Sequence, residues 1–178
     1  MLQWFVITHN LHALQLVKAR IAGLGAVEIY SPEKVELKKR RDCNGVRPKV
    51  TPMFPGYLFL RFDPEVVHTT TISDIPGVQD FVRTGVTIST VRNGVVEALK
   101  QSLLLRADRK VISLECKNVP AATLATIESI VVMKSLQERQ VALFALLQND
   151  AQLHSSAVRN CGRIYSVTEK VPVNEKLY

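Results

Sequence analysis

Six bases, Lys38, Lys39, Arg40, Arg41, Arg47 and Lys49, crowd into one short stretch with Asp42 as their single acid, and their local excess of +5 makes up most of the net charge of +7. Clustered ammonium and guanidinium groups suit an acidic partner such as nucleic acid, although a solvated hairpin tip has the same composition. His68-Thr69-Thr70-Thr71 offers an imidazole beside three hydroxyls. A paired acid and an oxyanion glycine pattern do not accompany it, so nucleophilic catalysis is not expected and the chain is read as a non-enzyme. His9 and His12 stand close together but lack a cysteine at ligand spacing, so neither a metal nor another cofactor is expected. Cys43, Cys116 and Cys161 are odd in number and far apart, as free thiols in a reducing compartment are.

The remaining concentrated signal is apolar: Phe54-Pro55-Gly56-Tyr57-Leu58-Phe59-Leu60-Arg61-Phe62. A proline-glycine turn releases a strand whose period of two places Tyr57, Phe59 and Arg61 on one face and Leu58, Leu60 and Phe62 on the other. One face then serves the protein's own core, and the other offers an interface.

Elements able to hold these residues follow from the spacing. Residues 3–8 read as a buried strand. Leu14, Val17, Ile21 and Leu24 mark a helix face that Gly23 and Gly25 end, and residues 26–30 return to strand composition. Lys34 to Lys38 alternates polar and apolar, and Asn44-Gly45 inside the basic stretch predicts a projecting hairpin. Asp63 is the expected cap of a short helix opening at Pro64 and ending near Ile72. A further strand is expected over 78–83. Asn93 is the expected cap of a helix presenting Val96, Leu99 and Leu103.

Residues 1–105 thus read as an α/β (α+β) sandwich, with a linker over 106–119 and a small C-terminal unit over 120–178. No glycine lies between Gly94 and Gly162, and Leu124, Ile127 and Val131, then Val141, Phe144 and Leu147, recur at helical spacing. An α-helical hairpin over about 121–153, turning at Ser135 to Glu138, is the simplest reading. Ile130-Val131-Val132 and Val141 to Phe144 are also acceptable strands. Both helices are apolar nearly all round, so the hairpin needs a partner surface, and the first domain supplies one. No stretch reaches the roughly 20 apolar residues of a membrane span, and the N-terminus lacks signal-peptide order, so a cytoplasmic protein without a membrane partner is expected.

The turn at Phe54-Pro55-Gly56-Tyr57, the run His68-Thr69-Thr70-Thr71, Trp4-Phe5, Gly77-Val78 and Phe81-Val82-Arg83, in this order along the chain apart from Trp4-Phe5 at its start, resemble the NusG family of transcription elongation factors, most closely its specialised RfaH branch. The resemblance spans about residues 3–105. It implies a largely antiparallel sheet flanked by helices and a monomer that binds RNA polymerase without catalysis and suppresses pausing and termination at particular operons. Carried over by motif, Phe54, Pro55, Tyr57 and Phe59 meet the clamp helices of the largest polymerase subunit. His68, Thr69, Thr70 and Thr71 meet the gate loop of the second-largest.

For the non-template DNA strand the match falls on Gln15 and Arg83. Asn10, Leu11 and Leu16 stand where that branch has basic residues, and Lys18 and Arg20 lie a helical turn along. In the same branch the C-terminal unit is either a helical hairpin laid over the polymerase-binding groove or a β-barrel that engages a ribosomal protein. The implied masking residues are Ile127, Val131, Phe144 and Leu147.

Overall fold

The computed structural model describes residues 1–39, 45–107, 111–115, 119–155 and 166–169. Strand β1 (Gln3–His9) is the axis of a five-stranded antiparallel sheet. β5 (Tyr57–Phe62) lies along one side of it, with β2 (Glu28–Tyr30) beyond; β6 (Val78–Phe81) and β9 (Thr90–Val91) share the other side. Val6 stands opposite Phe59 and Ile7 opposite Leu58, so the pleat sorts the large side chains into two cores.

On one face Phe5, Ile7, Leu58, Leu60 and Phe62 meet Val17 and Ile21 of helix α1 (Leu14–Ala22) and Ile72 of helix α2 (Thr69–Ser73). Stacking of Phe5 on Phe62, with ring centroids 4.6 Å apart, fills its centre. The opposite face presents Trp4, Val6 and Phe59 to helix α3 (Asn93–Ala107). Both faces of the sheet are therefore covered, with Tyr57 and Phe59 on one and Leu58, Leu60 and Phe62 on the other, as the period of two predicts.

Two glycines make the geometry possible. Phe54 C=O accepts the Tyr57 N–H at 3.1 Å across Pro55 and Gly56, whose φ is +85°; that is a type II turn, which favours glycine at its third position. At Gly77, φ is +100° and an added Cβ would stand 2.6 Å from the Ala13 Cβ, so the start of β6 lies directly against the entry to α1.

Several boundaries differ from expectation. Asp63 caps a turn rather than an α-helix: its carboxylate accepts the Glu65 N–H at 3.2 Å, and the helix begins only at Thr69, where the capping His68 accepts the Thr70 N–H. Asn93 lies inside α3, and its side-chain oxygen accepts the Trp4 indole N–H at 3.0 Å. Burying an indole requires an acceptor, which ties this side chain to the sheet.

β3 (Glu33–Lys39) and β4 (Val46–Pro52) form the expected hairpin, a two-stranded ribbon outside the main sheet. The turn at Asn44 and the bases Arg40 and Arg41 lie outside the described residues. Two short strands, β7 (Arg83–Thr84) and β8 (Thr87–Ile88), pair across Gly85.

The C-terminal part is helical where it was expected to be. α4 (Ala121–Val132) and α5 (Leu136–Ser155) are joined by residues 133–135, a shorter turn than expected, and the Ser135 hydroxyl accepts the Glu138 N–H at the start of α5. The stretch read as a linker contains a strand, β10 (Val111–Glu115), paired antiparallel with β11 (Ser166–Glu169) in the tail.

Candidate functional site

Where β5 emerges from its turn, Met53, Phe54 and Phe59 form an apolar face together with Trp4 and Val6 of β1 and Val95 and Leu99 of α3. Trp4 fixes one wall of this face. Beyond its bond to Asn93, its ring carries the Lys100 ammonium 5.1 Å from the centroid, and the same ammonium lies 5.3 Å from the Tyr30 ring. Glu97 and Glu28 pair with Lys100 at 3.1 and 3.5 Å. Burial, reinforced by the Glu97 charge, holds the Tyr30 hydroxyl far above its ordinary pKa.

This face is covered by the hairpin. Ile127, Ile130 and Val131 of α4 and Leu143, Leu146 and Leu147 of α5, each set at i, i+3 and i+4, join the same core, leaving Phe54 and Phe59 each 1% exposed. Each aromatic ring buried this way contributes roughly 1.5–3 kcal/mol of transfer free energy. At the rim Gln140 donates from Nε2 to the Pro55 carbonyl at 2.6 Å, within the turn itself. A polar cleft opens beside that bond, lined by His9, Asn10, Tyr57 and Gln79.

The structure brings together Phe54, Pro55, Tyr57 and Phe59 on one side and Ile127, Val131 and Leu147 on the other. Phe144 is not among the buried residues of this core. It is 38% exposed, and Val141 is 71% exposed, because the buried stripe of α5 runs through Leu143 and Leu147, about 100° around the helix from Phe144. The hydrophobic run across 141–147 gave the helix but not its rotational phase. Met53, Ile130, Leu143, Leu146 and the buried Arg139 were not anticipated. Met53 and Leu143 adjoin residues that were, whereas a lone arginine within a helix reads as a solvent-facing residue.

His68, Thr69, Thr70 and Thr71 lie together at the start of α2 on the far side of the sheet. The His68 ring is tied to the Thr70 hydroxyl at 2.8 Å, so its orientation is fixed locally. Gln15 and Arg20 are exposed on α1, with Lys18 half-buried between them. Arg83 is exposed but engaged: its Nε and Nη2 donate to the Asp80 carboxylate, each at 3.3 Å. This pairing, with the Phe81 N–H, holds Asp80 below the usual carboxylate range.

In the basic ribbon Arg47 and Lys49 are exposed, and Lys38 is in register with Arg47. Among the described residues no group of three or more His, Cys, Asp and Glu could hold a metal ion, and no helix is long and apolar enough to cross a membrane.

A family model described as transcription termination factor NusG matches residues 2–100. Among solved structures, one titled "Domain interaction in Thermotoga maritima NusG" is similar at 18% sequence identity and a TM-score of 0.40, over 64% of this chain and 61% of that one.

Proposed function

The chain belongs to the NusG family, and from that premise we propose that it is an operon-specific elongation and antitermination factor whose polymerase-binding face is masked by its own C-terminal hairpin. We divide it into a polymerase-binding domain at 1–105, a connecting segment at 106–119 and a regulatory unit at 120–178. The observation that carries the reading is the burial of Phe54 and Phe59 beneath α4 and α5.

In this account Phe54, Pro55, Tyr57 and Phe59 receive the clamp helices of the largest polymerase subunit, which compete with the hairpin for one apolar surface. His68, Thr69, Thr70 and Thr71, on the other side of the sheet, meet the gate loop of the second-largest subunit. Bridging the two favours the polymerase conformation closed on nucleic acid. Gln15, Lys18, Arg20 and Arg83 contact the non-template strand. Once released, the hairpin refolds toward a barrel that engages a ribosomal protein; circular dichroism of isolated residues 106–178 tests this last step, and a persistently helical spectrum removes it.

Masking is tested by polymerase binding. A chain ending at Arg106 is expected to bind more tightly than the full chain, and equal affinity removes the masking. Combining Tyr57→Ala with Phe59→Ala is expected to abolish retention of the shortened chain on polymerase; unimpaired retention rejects the face.

A second reading, a basic nucleic-acid-binding module, is favoured by the ribbon. Arg47 and Lys49 both stand exposed on it, and two exposed cations suit phosphate oxygens. Replacing Arg47 and Lys49 by Gln is then expected to flatten the dependence of log K on log salt by about two for a DNA duplex. An unchanged slope excludes phosphate contact by these two residues.

A further inference from the structure

We propose that Arg139 is a release element: a buried guanidinium without an anionic partner that keeps the α4–α5 hairpin only marginally docked on the Met53–Phe59 face. The inference deepens the masking reading and rests on it for its biological meaning, though not for its test. Arg139 is 5% exposed, on the same stripe of α5 as Leu143 and Leu147. Its Nη1 donates to the Met53 thioether sulfur at 3.2 Å, a weak acceptor, and its buried Nε has no partner. Among the described residues no carboxylate pairs with it.

A guanidinium is a cation with donors only, so docking must strip the charge of water without returning an ion pair. Its position adds to the cost. As the fourth residue of α5, it lies in the first turn, where the helix dipole already disfavours a cation. Undocking returns the guanidinium to water, which offsets part of the loss when the six aliphatic side chains of the hairpin leave the core. The apolar residues therefore specify where the hairpin sits, and Arg139 limits how firmly.

Amide hydrogen exchange on the full chain reads docking directly. Arg139→Met keeps the length of the side chain and removes its charge; exchange across 124–132 and 143–147 is expected to slow at least tenfold while β1 and β5 are unchanged. Arg139→Lys retains a buried charge and is expected to exchange no more slowly than the parent.

If the methionine variant does not fold, Met53→Glu decides. A carboxylate placed where the sulfur now lies supplies the missing anion, so exchange across 124–132 and 143–147 is expected to slow in this single variant. Exchange in Arg139→Met as fast as in the parent, or exchange in Met53→Glu as fast as or faster than in the parent, overturns the proposal. Polymerase plays no part in these measurements, so a failure of masking in the truncation experiment and a failure here are distinguishable.

Discussion

Arg83 shows how much a single side chain's environment changes its expected role. Its place in Phe81-Val82-Arg83 is where the resemblance puts a DNA contact, yet its guanidinium already faces the Asp80 carboxylate through two hydrogen bonds. A phosphate must displace Asp80 or share Arg83 with it. Asp80→Asn is therefore expected to strengthen binding of a single-stranded oligonucleotide severalfold, read by fluorescence anisotropy at low salt, and weaker binding would make Asp80 a positioning group instead. Because the folded-state pKa of Asp80 is lowered, the ion pair persists throughout the ordinary carboxylate range and is lost only as pH falls through that lowered value. Affinity for an oligonucleotide in the parent chain should accordingly not rise on acidification until the pH falls below the ordinary aspartate range. Being exposed, the pair adds little to stability, and its effect belongs to binding.

At the scale of elements, strands were more legible than helices, for a geometrical reason. A strand has two faces and a period of two, so the order Tyr57, Leu58, Phe59, Leu60 assigns each side chain once either face is known, and all four lie as expected. An α-helix that is apolar nearly all round has no such anchor. In α5 the run Val141 to Leu147 fits several rotations, and tertiary contact with Met53 and Phe54 selects the one that buries Leu143 and exposes Phe144. Capping residues failed where a long-range partner intervened: Asn93 is held by Trp4, 89 positions away in the chain.

The phase of α5 carries a measurable contrast. Leu143→Ala should cost about 2–5 kcal/mol of docking free energy, the range for a buried leucine, whereas Phe144→Ala should change it by less than about 0.5 kcal/mol, as an exposed substitution does. Exchange rates across α4 distinguish the two; a larger effect at Phe144 would place the hairpin in a different rotation.

Over the whole molecule, the proposed masking gives one surface two competing occupants, and that competition is quantitative. If the hairpin docks with equilibrium constant K, the fraction of chains able to accept a partner on the Phe54–Phe59 face is 1/(1 + K), and the apparent dissociation constant rises by the factor 1 + K. The same K governs the exchange protection of α4 and α5 through their opening. Two independent experiments must therefore return one number: the gain in polymerase affinity on ending the chain at Arg106, and the protection of the hairpin amides in the full chain. Linkage further requires that saturating polymerase expose those amides. Substitutions that shift K through the hairpin's buried stripe, such as Leu143→Ala, should move both quantities by the same factor. An affinity gain about tenfold smaller than the protection would mean that the partner binds without displacing the hairpin. A gain about tenfold larger would mean that residues beyond Arg106 obstruct polymerase in a second way, independent of docking on this face.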